Sequence, residues 1–190
     1  MDKQNRSTVL GAVLLIVFTA FTRLFPHPEN FTALGAMAVF GGSVIKDKKL
    51  AFLVPLSALL LSDICLQLFT SRKGFYGTTQ VFVYAAFMLI TLLATFIRKK
   101  SVANIAFAAV WSALIFFVVS NFGVWVSSTT YPHNISGLVA CYAAAIPFYK
   151  NEFFGNFVLN SIMGNLFFSA LLFGGYYVLA KNRQLEKTIA

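Results

Sequence analysis

Charged residues are scarce in this chain, and acidic ones most of all. Charged side chains make up 11% of the 190 residues, and 15 Lys and Arg stand against 6 Asp and Glu. So little charge is typical of a single membrane domain and leaves no room for a separate soluble enzyme module. The basic excess does not indicate nucleic acid, because the cations occur in small groups between apolar runs rather than in one stripe.

The residues and motifs of common catalytic and metal sites are also few. The two cysteines, Cys65 and Cys141, lie in apolar surroundings, which predicts buried free thiols. The two histidines, His27 and His133, have no third ligand and no spacing signature, so they are a weak signal for a metal. The sequence contains no GxxxxGKS/T loop, HExxH, GxSxG or CxxC. P-loop hydrolysis of ATP by this chain is therefore excluded, and we expect neither an enzyme nor a cofactor.

Long apolar runs fill most of the sequence, and the basic residues between them are distributed unevenly. Hydrophobic residues make up 58% of the chain. When the gaps are assigned alternately to two sides, most basic residues fall on the side of the termini: Lys3, Arg6, Lys46, Lys48, Lys49, Arg98, Lys99, Lys100, Lys181, Arg183 and Lys187. The other side receives Arg23, Arg72, Lys73 and Lys150. This is the positive-inside pattern of a multi-pass membrane protein with both termini in the cytoplasm.

The lengths of the apolar runs predict an all-α fold with six transmembrane helices in one domain, residues 1–190. A crossing needs roughly 20 helical residues, because the hydrocarbon core is about 30 Å thick. The predicted spans cover residues 8–25, 31–45, 50–69, 79–97, 102–126 and 153–180. Residues 138–149 are apolar but too short to cross, so they form either a short helix at the outer mouth or a re-entrant segment.

Two opposite charges are predicted at the same depth in the membrane. Asp63 is the only acid well inside an apolar run, about 20 Å from the inner end of the third span. Arg23 lies about 22 Å from the inner end of the first. Because a charge inside the bilayer is costly, an ion pair between them is expected. It is either a structural clamp between helices or a pair that also faces a ligand.

Polar and aromatic side chains cluster in the predicted outer loops and in the last span. We predict that they form the rim of an outward-facing cavity, with Asn30, Asn121, Trp125, Tyr131, His27, His133 and Asn134. Trp125 and Tyr131 also fit the interfacial aromatic belt of any membrane protein. Asn156 and Asn160 share a helical face, and such amides either bridge helices or point into a polar cavity.

Several stretches resemble an uncharacterised family of small bacterial membrane proteins. They are RLFPHPENFTALGAMAVFGG at 23–42, Ser62-Asp63, SNFGVW at 120–125, Tyr131-Pro132, and GLVACYAAAIPF at 137–148. From the last stretch, Tyr142 joins the predicted binding residues. This family is similar in turn to the substrate-binding (S) components of energy-coupling-factor (ECF) vitamin transporters. The resemblance implies a bacterial cytoplasmic membrane and a vitamin-type ligand bound near the outer surface. It also implies docking on a coupling subunit that carries two ATPases.

The same resemblance assigns roles to the loops and narrows the ligand. Residues 26–32, 70–78 and 127–149 correspond to the loops that close the site, and Gly74 and Gly77 would suit a mobile lid. Cobalamin is the leading ligand, since the Arg-then-His entry looks similar and a corrinoid offers cobalt to histidine or cysteine. Two alternatives stay open: an integral-membrane enzyme that acts on a lipid or isoprenoid with Asp63 and a histidine, and an assembly partner of another membrane complex.

Overall fold

The fold is described by a computed structural model that covers residues 3–146 and 156–189, with side chains for 9–146 and 156–181. Within these ranges the secondary structure consists of seven α-helices and one 3-10 turn, with no extended β-strand. The helices are α1 (Lys3–Phe21, followed by the 3-10 turn Thr22–Leu24), α2 (Leu34–Val44), α3 (Lys48–Phe69), α4 (Thr79–Ala94), α5 (Val102–Ser127), α6 (Ile135–Ala144) and α7 (Phe157–Ile189).

Side-chain caps fix where several helices begin. Asp47 Oδ1 accepts a hydrogen bond from the Leu50 amide at the start of α3, and Ser101 Oγ accepts one from Asn104 at the start of α5. Asn134 Oδ1 does the same for the Gly137 amide in α6. Each cap satisfies an amide that the first helical turn would leave unpaired, so polar residues in the short loops set the helix boundaries.

Helix α2 is the centre of the bundle. Its residues 34–42 are all buried, and it packs against α1, α3, α4, α5 and α7. The close approach of α2 to α4 requires glycine at Gly42, because an added Cβ would overlap the backbone carbonyl of Thr91 in α4. Small residues let helix backbones approach closely in lipid, where the hydrophobic effect does not drive helices together. The core cluster around α2 contains residues from α1, α3, α4, α5 and α7.

Three helices are long and apolar enough to cross a membrane: α3, α5, and the segment Phe157–Lys181 of α7. They are consistent with a membrane protein. By length and apolar composition, however, only three of the six predicted spans are long enough to cross in the described part of the chain. The segments at the other three predicted spans are shorter, namely Val9–Leu24, Leu34–Val44 and Thr79–Ala94, and so is the apolar helix Ile135–Ala144. Helix α2 has 11 residues and a length of about 16 Å. It can be this short because it is enclosed by other helices, where irregular backbone at its ends finds partners in protein.

The boundaries of the other predicted elements differ by a few residues. The fourth span was predicted to reach residue 97, but α4 ends at Ala94 and continues as a tighter turn in which Thr95, Phe96 and Ile97 bond to carbonyls three residues back. The predicted short helix at 138–149 is α6, which begins at Ile135. Residues 147–149 of that prediction, and the start of the sixth span at 153–155, lie outside the described residues.

Candidate ligand-binding cavity

A cavity of about 610 Å³ lies at the end of the bundle where α1, α3 and α5 finish and α2, α4 and α7 start. Its walls come from Arg23, Leu34, Asp63, Gln80, Asn121 and Val158, one or more from each of these six helices or their adjoining turns. The volume falls in the range of roughly 300–1,000 Å³ that is typical of small-molecule sites. The chain therefore runs toward the cavity end in α1, α3 and α5 and away from it in α2, α4 and α7.

The predicted ion pair is present and forms one wall of the cavity. Arg23 Nη1 lies 2.6 Å from Asp63 Oδ1, and the side chains are 10% and 1% exposed. The other carboxylate oxygen, Oδ2, accepts hydrogen bonds of 2.9 Å from Gln80 Nε2 and from the Tyr84 hydroxyl. Asp63 therefore links α1, α3 and α4. Both residues also line the cavity, and a role of the pair in ligand binding stays a prediction.

Neighbouring polar groups hold this pair in place. Arg23 Nη1 also donates to Ser62 Oγ at 2.5 Å, and Ser62 in turn donates to the Leu59 carbonyl at 2.8 Å. A buried ion pair is stable only when its remaining hydrogen-bonding groups are satisfied, because desolvation opposes the attraction between the charges. The donors from Gln80, Tyr84 and Arg23 supply that satisfaction for Asp63.

Loop 70–78 folds back over Asp63. Gly74 lies against the backbone of Asp63, and an added Cβ would overlap the Asp63 carbonyl oxygen. The Gly74 amide donates to Gln67 Oε1 at 3.2 Å. Gly77 has φ +59, a left-handed conformation that favours glycine. The two glycines predicted to serve a mobile lid therefore have specific local roles: Gly74 permits a close contact and Gly77 a turn.

Arg72 joins loop 70–78 to loop 26–32 at the mouth. Its Nη1 lies 2.8 Å from His27 Nε2, and its Nη2 donates to the His27 carbonyl at 3.3 Å. Because guanidinium is only a donor, His27 Nε2 is the acceptor. His27 Nδ1 then carries the proton and donates to the Pro28 carbonyl at 2.9 Å. We call this arrangement the Arg72–His27 clasp.

The amides of α7 have three different roles. Asn160 is fully buried and its Nδ2 donates to the Glu29 carbonyl at 2.9 Å, which ties α7 to loop 26–32. Asn165 lines the cavity and donates to Ser112 Oγ of α5 at 3.0 Å. Asn156 Oδ1 accepts from the Leu159 amide at the start of α7, as a helix cap. Among the predicted site residues, Asn156 and Asn160 thus make structural contacts rather than line the cavity.

Five of the predicted site residues come together in the cavity: Arg23, His27, Asn30, Asp63 and Asn121. Asn30 has φ 61, a left-handed backbone that asparagine adopts more readily than most residues. Asn121 Nδ2 donates to the Phe117 carbonyl one turn back in α5.

The remaining aromatic and imidazole side chains of the predicted rim belong to the α5–α6 connection. Trp125 Nε1 donates to the Pro132 carbonyl at 2.9 Å, and the His133 ring packs edge-on against the indole at 5.5 Å. The Tyr142 hydroxyl donates to the Val118 carbonyl at 2.7 Å. Tyr131 lies half-buried in the same loop. The contacts of Trp125, His133 and Tyr142 hold α6 and its loop against α5, and none of the four residues is among those that line the cavity.

A family model described as "Family of unknown function (DUF6580)" matches residues 3–188 of the chain. The chain belongs to this family. Comparisons with curated proteins and with solved structures returned no match. The likeness to ECF S components therefore stays a prediction, while membership of the DUF6580 family rests on nearly the whole sequence.

Both cysteines are free, and neither is placed for chemistry in the cavity. Cys141 is buried in α6, and its Sγ lies 3.5 Å from the Asn121 carbonyl. Burial raises the pKa of the Cys141 thiol, which keeps it protonated. Cys65 is half-buried, contrary to the expectation that both thiols are buried. Across the described side chains, no group of three His, Cys, Asp or Glu residues is arranged to hold a metal.

Sequence reasoning missed several residues of this DUF6580 cavity. Arg72, Lys73, Gln80 and Ser161 line it, and Tyr84 supports its wall. Gln80 and Tyr84 are four residues apart in α4, and their spacing alone puts two polar groups on one face of an otherwise apolar helix. That signal was available in the sequence. The inward fold of loop 70–78, which brings Arg72 over the cavity, depends on tertiary packing at Gly74.

Proposed function

We propose that this DUF6580 protein is the substrate-binding membrane component of a micronutrient importer that relies on a separate coupling subunit and ATPases for transport. The supporting observation is the cavity at one end of the bundle, which is of ligand size and is bordered by residues of three loops. Those loops contribute His27, Arg72 and Ala145, one from each of the regions that the S-component resemblance implies for closure.

The direction of the chain supports a membrane topology of six crossings. The cavity contains residues from the C-terminal ends of α1, α3 and α5 and from the N-terminal ends of α2, α4 and α7. The chain must return between successive visits to that end, so the shorter α1, α2 and α4 complete the distance together with their adjoining turns. Together with the uneven distribution of basic residues, this alternation supports the proposal that both termini lie in the cytoplasm and that the cavity opens on the outer side of a bacterial cytoplasmic membrane.

The charges around the cavity favour a ligand with a carboxylate or phosphate group. The charges of Arg23 and Asp63 cancel within their pair, whereas Arg72 is bonded to a neutral imidazole and a carbonyl. Its guanidinium therefore keeps its full charge at the mouth, next to Lys73. Guanidinium forks recognise planar carboxylates and phosphates with two parallel hydrogen bonds. Glu29, also at the mouth, would disfavour a second anionic group nearby.

Cobalamin, which the resemblance favours, belongs in the ligand panel beside smaller anionic vitamins. Coordination of its cobalt by His27 would require the imidazole to leave Arg72, because Nε2 accepts from the guanidinium and Nδ1 donates to Pro28. Coordination by Cys141 would require that buried thiol to be exposed and deprotonated. The contacts of His27 and Cys141 therefore favour ligands that need no coordination to cobalt.

Ligand retention tests the proposal directly. The full-length protein, purified in mild detergent, should carry a small molecule that mass spectrometry detects after denaturation. A panel of vitamins, including cobalamin, should contain a member that binds at micromolar concentration or tighter. No binding across a broad panel, with a folded protein, would contradict the proposal.

A matched pair of variants locates the site. Arg72→Gln should weaken binding of an anionic ligand by roughly tenfold or more, because a hydrogen bond to a charged group is lost. Arg98→Gln removes the same charge at the opposite end of the bundle and should leave affinity unchanged. Equal effects of both variants would show that net charge, rather than the cavity, governs binding.

An enzyme acting on a lipid or isoprenoid predicts a different response at Asp63. A general base needs a free oxygen near the substrate, but both oxygens of Asp63 accept hydrogen bonds from protein donors. Asp63→Asn should therefore reduce ligand affinity and stability together. Loss of a measurable turnover, with ligand binding retained, would favour the enzyme.

A further inference from the structure

A second, apolar groove lies at the end of the bundle opposite the cavity. It is about 770 Å³ in volume and runs between the end of α4 and the first half of α5. Leu93, Phe96 and Ile97 form one wall, and Phe107, Trp111 and Ile115 form the other. Phe96 and Phe107 are both 71% exposed, so neither aromatic ring is covered by the part of the chain that the structure describes.

The spacing of the α5 residues makes the groove continuous. Asn104, Phe107, Trp111 and Ile115 follow one another at intervals of three or four residues and therefore share one face of the helix. Asn104 and Ile115 are separated by about 16 Å along the axis, at about 1.5 Å per residue. One leaflet of the hydrocarbon core is about 15 Å thick, half of the full core. The groove thus has the length of one lipid acyl chain in one leaflet.

Positive charge is concentrated at one end of this groove. Arg98 and Lys99 line it, and Lys100 follows them in the chain. All three are exposed, and no ion pair to any of them is present among the described side chains. Asn104 is held beside them by a hydrogen bond of 2.9 Å from its Nδ2 to the Lys99 carbonyl. The groove therefore combines an apolar channel with a cationic end.

We propose that this groove is a binding site for one anionic phospholipid, with the headgroup phosphate at Arg98 and Lys99 and an acyl chain along Phe107, Trp111 and Ile115. The positive-inside pattern predicts this end for the cytoplasmic leaflet, where anionic headgroups meet basic residues at the ends of transmembrane helices. Charge complementarity and the one-leaflet length distinguish this lipid from the uncharged lipids around the rest of the bundle. The proposal does not depend on what the cavity binds.

Native mass spectrometry of the full-length protein tests this site. The purified protein is mixed with phosphatidylglycerol or with phosphatidylcholine of the same acyl chains, and the retained lipid is counted. The wild-type protein should retain phosphatidylglycerol preferentially. Soluble glycerol phosphate should not displace it, because the acyl chain contributes to binding. Equal retention of the two lipids, or displacement by glycerol phosphate, would overturn the proposal.

Two charge-matched double variants provide the control. R98Q/K99Q should reduce phosphatidylglycerol retention by roughly 5- to 30-fold, since two basic residues near the headgroup are lost. K48Q/K49Q removes the same charge at the start of α3, on the same predicted side, and should reduce retention less than twofold. Thermal unfolding of both variants checks that they fold. Equal losses in both would mean that lipids respond to overall charge only, and a protein dimer that excludes lipid would assign the groove to a second copy of the chain.

Discussion

The buried charge cluster at the cavity end of the bundle and the basic residues at the groove end lie in opposite environments. At the cavity end, Asp63 is buried and accepts from Arg23, Gln80 and Tyr84, so its charge is balanced inside the protein. At the groove end, Arg98 and Lys99 are exposed, and no ion pair to either is present in the described parts of the chain. The first arrangement fixes helices relative to one another, and the second leaves charge available to the surroundings. Buried charges of the first kind organise the protein, whereas exposed charges of the second kind are available for the lipid contact proposed above.

The largest expected effect concerns which side of the membrane each end faces. In a variant whose own cysteines are replaced by serine, Ser71→Cys at the cavity end should react with an impermeant thiol reagent added outside the cell. Lys100→Cys at the groove end should react only after the membrane is opened. The reverse pattern would contradict both the six-crossing topology and the outward-facing cavity.

Breaking the buried charge cluster should have the next largest effect. Asp63→Asn leaves Arg23 buried without its counter-ion, and we expect a loss of about 3–5 kcal/mol in the free energy of unfolding. Thermal unfolding in detergent provides the measurement. The double variant Arg23→Met/Asp63→Leu removes both charges and should recover much of the loss. A single variant as stable as the wild type would show that the pair does not hold α1, α3 and α4 together.

A smaller effect is expected where loop 70–78 contacts α3. Gly74→Ala introduces a Cβ against the Asp63 carbonyl, and we expect a loss of about 1–3 kcal/mol in stability with weaker ligand binding. Gly174→Ala in α7 has no heavy atom near the added Cβ and should instead stabilise the helix by roughly 0.5–1 kcal/mol. Equal stability changes in the two variants would mean that loop 70–78 does not pack as described.

The sequence predicted the features that follow from a single strong physical cost. An acid and a base at equal depth in apolar helices must find each other, so the Arg23–Asp63 pair could be predicted and is confirmed. Free cysteines and the all-helical fold followed in the same way from composition. Helix lengths were less predictable, because the apolar run around α2 continues beyond the 11 residues that are helical.

Side chains in the loops were harder to place than side chains in the helices. Trp125, Tyr131 and His133 have the chemistry of a binding rim, but the hydrogen bond from Trp125 to Pro132 and the ring contact between Trp125 and His133 stabilise the α5–α6 connection. The resemblance indicates loop 70–78 as a closing segment but does not single out Arg72, which reaches the cavity mouth. The sequence pattern predicts the chemical type of each loop residue and the side of the membrane on which it lies. The path of each loop depends on tertiary contacts, such as that of Gly74 with Asp63, which the periodicity of the helices does not predict.

The Arg72–His27 clasp couples the two loops at the mouth. They share one guanidinium, so a ligand anion that draws Arg72 away would break the contact between residues 26–32 and 70–78 in a single event. Uptake of ligand and release of the covering segments would then be two aspects of one exchange of hydrogen bonds.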